Sequence, residues 1–515
     1  MKTLLRYSFI LAACACLLVG CVDQFLDEKP SKSTTVVIET GEHLNALLNS
    51  YTTYYLEQSP WLINASDDQR CDTEWFEITG SSDCEGYSTE SLSYALWDTD
   101  IIPKLTDVNW KNEYLKIFYA NTILEKADKV SGLSDTEREN MKREARFIRA
   151  VSSWYLAQVY CEPMVAGNEN KQGIVLKTST DFGESVKRAS LKATYDFIEA
   201  DLQEALKIEK PFSKIGNTNR WNSVRANKAA VNGFAARFYL YLNDYQKALS
   251  YANTALSAHS LLVDYNTEMK NMDSPTTVTI NGKSETIIFP YTYEGGANTV
   301  NERMMEWKEM TYFRMQYDKN WWMMPSESLL ALYDKTYDLR YKYHFIPNYS
   351  YINTITTPLM GYVFWWKDRT PSGPTTAEML LIKAECEARL GNVSEAMTTV
   401  NKLRAARMDK NAPANVINLS ASNAEDAVKK ILEERRREMP FVRRFMDIRR
   451  LNSNDVAYDD VGAITKSFYS FSLTNINKGS KMTYTLEKNS GKYACPLPET
   501  EFEVSDFVID QNIYQ

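Results

Sequence analysis

The chain has 515 residues, a formal net charge of −8 and 44% hydrophobic residues, enough apolar content for a large core. Its acidic balance argues against nucleic acid as a partner, because binding a phosphate backbone needs concentrated positive charge. The length fits two or three ordinary domains, or one large helical domain with insertions.

The first residues read as a targeting segment. Lys2 and Arg6 precede an apolar run from Phe9 to Val19 that is too short for an ordinary membrane span. The run ends in Leu18-Val19-Gly20-Cys21, the pattern of a bacterial lipoprotein cleavage box, which makes Cys21 the expected lipidation site. Acyl chains anchor through about 0.8 kcal/mol per buried CH₂. No other stretch is long and apolar enough to cross a membrane, so contact with the membrane is expected through the anchor alone. The expected organisation is a signal peptide over 1–20, a lipid anchor and polar tether over 21–40, and a single helical domain over 41–515, with an N-terminal part to about 270 and a C-terminal part beyond.

Glu42 to Leu56 reads as the first helix of that domain. The stretch from Glu57 to Asn109 has no clear periodicity and holds Trp61, Asp67, Asp68, Arg70, Asp72, Trp75, Phe76, Tyr87 and Trp97. Long loops that keep a shape are often functional. Tryptophan beside acids and amides suits carbohydrate, whose ring face stacks on an indole while its hydroxyls bond polar neighbours. The acids lack the spacing of an EF-hand loop, and no metal is expected there. Cys71 and Cys84 flank a short polar loop and could form a disulfide, whereas Cys386 reads as a packed thiol within a helix.

Trp110 to Val130, Thr136 to Tyr160 and Ala193 to Ile208 read as amphipathic helices. Arg225 to Ala258 reads as a helical hairpin, and the same pattern recurs from Thr376. Ala236, Asn243, Tyr245 and Ala248 sit at the same offsets as Ala384, Gly391, Val393 and Ala396. Small residues where two helices cross, with a turn former between them, are similar to the tetratricopeptide pattern. Such hairpins cannot bury their apolar faces alone, so they imply a stacked helical layer. The expected fold is therefore mostly α, a tetratricopeptide-like repeat scaffold with long irregular insertions and a minor β-hairpin. That hairpin is Val278 and Ile280, an Asn281-Gly282 turn, then Ile287 to Phe289. It opens a second insertion, Asn271 to Met324, with Tyr291, Tyr293, Trp307, Tyr312, Trp321 and Trp322. A third, His344 to Pro374, carries Tyr349, Tyr351, Trp365 and Trp366. Loops on one face of a solenoid can converge, and adjacent tryptophans usually split between inside and outside.

The segment ERRREMPFVRRFMDIRR, Glu434 to Arg450, interleaves arginine with glutamate, which favours a salt-bridged buttress over an anion site. Pro440 ends its first helix. This segment resembles the signature of the SusD-like (RagB/SusD) family of Bacteroidetes outer-membrane nutrient-uptake lipoproteins. EARFIRAVSSWYLAQVY, ATYDFIEADLQEAL, ANKAAVNGFAARFYLYLNDYQKAL, PSESLLALYDKTYDLRY and CPLPETEFEVSDFVIDQN resemble family segments in family order, and FLDEKP after the anchor resembles the start of mature members. Val442-Arg443 and the tail QNIYQ depart from the common family pattern at positions that read as structural. The resemblance implies a cell-surface protein that captures a nutrient oligomer, most often a glycan, and hands it to a SusC-like TonB-dependent outer-membrane porin. It also implies ligand contacts from the region after the first helix and from separated aromatic loops. The candidate ligand-binding residues are Trp75, first among them, with Trp61, Asp67, Asp68, Arg70, Asp72, Trp321, Trp322, Tyr293 and Trp365.

No catalytic constellation stands out. The chain has three histidines, His43, His259 and His344, in unrelated contexts, and no Gly-x-Ser-x-Gly, Walker or dinucleotide motif. No cofactor and no enzymatic activity are expected. A peptide-binding member of the same family, a lipoprotein glycoside hydrolase, whose paired carboxylates need only be close in space, and a protein-binding scaffold remain as alternatives.

Overall fold

The computed structural model describes residues 38–79, 87–280, 283–293, 297–317, 323–347, 360–366 and 368–514. The fold is mostly helical. Its long helices are α1 (Gly41–Asn49), α2 (Val108–Lys126), α3 (Asp135–Tyr160), α4 (Leu191–Ala205), α5 (Lys228–Tyr241), α6 (Tyr245–Ala258), α7 (Thr376–Arg389), α8 (Val393–Arg407), α9 (Ala424–Glu438) and α10 (Arg444–Ser453). Among the described residues no helix is long and apolar enough to cross a membrane.

The two repeat hairpins, α5–α6 and α7–α8, are closed by the same device. Asn243 and Gly391 both take left-handed backbone, φ 59° and φ 89°. After each helix the chain folds back with matching bonds: Asp244 N–H to Tyr239 O at 3.0 Å and Asn392 N–H to Glu387 O at 2.8 Å. This is the Schellman closure, and Gly and Asn are the residues that enter that region at least cost. Ala236, Ala248, Ala384 and Ala396 are fully buried where the paired helices meet. Helix α6 packs on α7, and α7 packs on α9, so the hairpins stack as repeats do. Helices α2, α3 and α4 pack in succession at the other end of the layer. Ser134 and Glu137 form a reciprocal capping box at the start of α3.

Two features differ from the sequence reading. The first helix stops at Asn49, a short turn Tyr51–Tyr54 follows, and Leu56–Glu57 leave as strand β1. Pairing with a distant strand wins there over local helical pattern. The hairpin β2–β3 (Thr276–Ile280 and Lys283–Ile287) lies where expected, but a second hairpin, β6–β7 (Ile464–Phe471 and Ile476–Leu486), was not anticipated. Its Phe468 is buried against Phe76 and Tyr87 of the first insertion. Of the candidate disulfide pair, Cys71 is buried and Cys84 lies outside the described residues.

The arginine-rich segment is a buried ionic buttress. Arg450 bonds Glu385 at 2.6 Å, Arg435 bonds Asp447 at 2.7 Å, and Glu434 takes Arg404 at 2.5 Å and Arg340 at 2.7 Å. From α7, Glu378 holds Arg237 of α5 through two bonds, with Arg435 at 3.8 Å and Arg443 at 4.0 Å. All these groups are nearly inaccessible. Each guanidinium faces a carboxylate and is buried, which keeps an external anion from reaching it. The segment fastens α5, α7, α8 and α9 into one block.

Candidate functional site

The three insertions do meet. Strand β1 pairs parallel with β4 (Met315–Tyr317), and β4 pairs antiparallel with β5 (Arg369–Pro371), so one small sheet takes a strand from each. The exit from β5 needs a close approach that only glycine allows. A Cβ at Gly373 would lie 1.8 Å from Tyr312 O. Beyond the sheet, Arg70 N–H bonds Met324 O at 2.8 Å, Ser326 N–H bonds Asp68 O at 2.8 Å, and Tyr362 N–H bonds Met323 O at 3.0 Å. Trp321 and Trp322 lie outside the described residues. Met323 and Met324, which follow them, are thus bonded to Tyr362 of the third insertion and to the Gln69–Arg70 turn of the first.

That turn is clamped from behind by α9 and α10. Arg444 grips both oxygens of Asp67 at 2.7 and 2.8 Å. Arg436 bonds Asp68 Oδ1 at 2.7 Å, and Phe441 N–H bonds Asp68 Oδ2 at 2.9 Å. Burial pushes the Asp67 carboxyl up, but the Arg444 and Arg436 guanidiniums outweigh it and hold the group well below the usual carboxylate range. Asp67 and Asp68 therefore act as anchors. Asp68 is fully buried and has no surface for a ligand.

Past the clamp, Arg70 reaches outward. It bonds Asp72 at 2.5 Å and Glu327 at 2.9 Å, and its guanidinium lies 4.0 Å from the centre of the Trp75 ring. Asp72 also accepts from the backbone N–H of Trp75 at 2.9 Å. Trp75 is half-buried beside the small core of Phe76, Tyr87 and Phe468. A cation over one ring face and a core beside the ring fix the indole before any ligand arrives. Of the nominated residues, Trp75, Arg70 and Asp72 form one partly exposed cluster.

Others are placed differently. Trp61 is fully buried edge-on to Phe445, and Trp365 is 1% exposed against Trp307. Neither offers a ring face at the surface in this conformation, because both rings fill the core beneath the insertions. Trp366, which was not nominated, is half-buried at the end of the third insertion, with φ 49° and its N–H on Thr292 O at 3.1 Å. Tyr293 is half-buried and stacks on Phe289 at 4.0 Å.

Two sizeable cavities with aromatic walls lie away from the Trp75 cluster among the described residues. One, of about 820 Å³, runs along α2 between Trp110, Tyr114, Phe118, Phe182 and the C-terminal Glu501 and Ile509, and contains none of the nominated residues. The other, of about 510 Å³, lies beneath the second insertion with Trp307 and Trp365 in its wall. Among the described residues no group of His, Cys, Asp and Glu could hold a metal ion. The acids at 67–72 are occupied by arginine.

Two family models match the chain. Residues 24–240 match a family described as starch-binding and associating with the outer membrane, and residues 375–514 match the SusD family. The starch-binding protein SusD of Bacteroides thetaiotaomicron is 26% identical over 197 residues, 35% of this chain and 32% of that protein. The match thus spans about a third of that relative's length. Among solved structures, a SusD superfamily protein from Bacteroides vulgatus superposes with a TM-score of 0.62 at 16% identity, covering 92% of this chain and 99% of its own. One from Bacteroides thetaiotaomicron gives 0.61 at 16%, covering 92% and 100%. The surface glycan-binding protein A of Bacteroides uniformis gives 0.60 at 16%, covering 92% and 99%. At such identities the likeness establishes the fold. With its two family matches in chain order, and that fold shared over nearly its whole length, the chain belongs to the SusD family.

Proposed function

We propose that the protein is a cell-surface glycan-binding lipoprotein, anchored in the outer membrane through Cys21. It captures an oligosaccharide and delivers it to a SusC-like TonB-dependent porin. The observation that carries this reading is the braced Trp75. A half-exposed indole with Arg70 over one ring face, on backbone held by Asp72, stands where three aromatic insertions are bonded together. A rigid ring face with acids and amides beside it suits a sugar ring, and preorganisation lowers the cost of binding. Trp75, Arg70 and Asp72 are the proposed contacts, with Tyr293, Trp321 and Trp322 as further aromatic contributors. Asp67 and Asp68 position this cluster, and Trp61 and Trp365 support it from the core.

The role is binding without turnover. Asp67, the carboxyl held well below the usual range, is tied to Arg444 and Arg436 in the clamp, which is structural use. Incubation of the purified protein with oligosaccharide and peptide panels, followed by chromatography, tests this. Binding of glycans with every input recovered intact is expected. Release of shorter products would overturn the non-enzymatic reading, and binding confined to peptides would replace the ligand class. Co-purification of a porin from solubilised membranes tests the partner, and its absence under mild detergent would count against delivery.

A further inference from the structure

The 510 Å³ cavity beneath the second insertion falls within the size range of small-molecule sites, about 300–1,000 Å³, and shares no residue with the Trp75 cluster. Two lysines, each joined through the backbone to an aromatic residue, line it. Lys214 and Trp221 sit opposite each other across a β-bridge that closes a short surface loop. Lys270 and Tyr291 are joined by a backbone bond, Tyr291 N–H to Lys270 O at 3.0 Å. Lys214 and Lys270 are exposed, and among the described residues neither pairs with a carboxylate. The cavity's other lysine, Lys308, is already spent on Glu268 at 2.6 and 2.7 Å. In the wall, Trp307 and Trp365 meet edge to face at 5.6 Å. The Trp365 indole N–H is buried with no hydrogen-bond partner among the described residues. A buried donor left unmet costs free energy, and a ligand acceptor would remove that cost. On the rim, Glu306 is exposed and, among the described residues, unpaired; its carboxylate can only accept hydrogen bonds.

These groups define complementary chemistry. Two free ammoniums call for one anionic group, and the aromatic rings call for a flat apolar face. The indole N–H calls for an acceptor, and the Glu306 carboxylate calls for an O–H donor. We infer that this cavity is a second ligand site, separate from Trp75, for an acidic sugar unit whose ring bears a carboxylate or a sulfate.

Titration calorimetry of the purified protein against maltotriose, trigalacturonate and a sulfated galactose trimer tests this at low and moderate salt. An anionic trimer should bind at least about tenfold more tightly than maltotriose in the presence of Trp75→Ala, which removes the proposed first site. Its binding should weaken with salt, because exposed charges are screened. The double variant Lys214→Ala/Lys270→Ala, which changes only exposed side chains, should lose about tenfold or more for the anionic trimer. Trp365→Phe keeps an aromatic ring but removes the pyrrole portion with its N–H, and should weaken binding several-fold at an unchanged thermal midpoint. The arm that binds identifies carboxylate or sulfate as the recognised group. Equal affinity for neutral and anionic trimers, or an anionic affinity untouched by the lysine double variant, would overturn the inference. Neither outcome bears on the Trp75 reading, which the neutral glycans test in the wild-type chain.

Discussion

Asp67→Asn isolates the clamp that seats the proposed site. In the native chain both carboxylate oxygens accept from Arg444, at 2.7 and 2.8 Å, with Arg436 also within 3.3 Å. The asparagine keeps one acceptor and turns an amide donor toward a guanidinium that is itself only 12% exposed. Hydrogen bonds to charged groups contribute about 1.5–3 kcal/mol each, and breaking a buried pair costs about 3–5 kcal/mol. The Asp67 side chain retains 22% exposure, so water recovers part of that loss and a cost of about 2–3 kcal/mol is expected. Urea unfolding followed by tryptophan fluorescence measures it as a lower midpoint with an unchanged slope. Arg444→Met and the double variant complete a cycle, whose coupling should exceed about 1 kcal/mol. Because Asp67 also seats the Arg70–Trp75 turn, the variant should weaken glycan binding several-fold without touching a ligand. A cost below about 0.5 kcal/mol, or no coupling with Arg444, would refute the clamp.

Further outcomes follow from the same structure. Glu378→Gln removes the carboxylate facing the buried Arg237, Arg435 and Arg443 and should cost about 3–5 kcal/mol, read as a fall in thermal midpoint. Gly373→Ala drives a Cβ into Tyr312 O, and should lower expression and midpoint together, while Gly216→Ala, where a positive φ but open space awaits, should cost about 1 kcal/mol. His344 is fully buried between Tyr265 Oη and Val363 O, and burial pushes its pKa down to about 4. The unfolded chain takes up that proton near pH 6.5 and the native chain only near pH 4, so the contribution is present above pH 6.5 and is lost as the pH falls from there toward 4. The loss should approach roughly 3 kcal/mol, and His344→Asn should flatten the urea midpoint between pH 7 and pH 4.5. The buttress behaves otherwise. Burial pushes Glu385 up, but Arg450 and Arg389 outweigh it and hold it near 2, so its contribution should persist until the pH falls below about 4.

The scaffold was legible because repeat packing writes itself at fixed offsets. Alanines at helix crossings and Asn243 or Gly391 at the turn have the same consequence in each hairpin, and the structure realises both. The buttress was legible from the alternation of glutamate and arginine. The insertions were legible as places but not as surfaces. Irregular chain has no period that assigns a face, so Trp61 and Trp365 look like Trp75 in sequence, though only Trp75 reaches solvent appreciably. The anchoring role of Asp67 and Asp68 was hidden because their partners, Arg436 and Arg444, lie far along the chain. The missed hairpin β6–β7 has a specific cause. Its inward positions are Ile464, Lys466 and Phe468, and a lysine there breaks the apolar alternation. Lys466 is buried because its ammonium caps Asn64 O at 3.0 Å and Ser66 O at 2.9 Å. Burial lowers its pKa to about 8. A polar residue satisfied inside leaves no hydropathy signal.

The most direct test of the central claim is calorimetric titration of neutral oligosaccharides into the purified protein and into Trp75→Ala, with chromatography of each mixture afterwards. The account predicts binding by the wild-type chain, a loss of about tenfold or more in the variant at an unchanged thermal midpoint, and intact glycan in every sample. Equal affinity in the two proteins would contradict the placement of the site at Trp75, and cleaved glycan would contradict a role in capture alone.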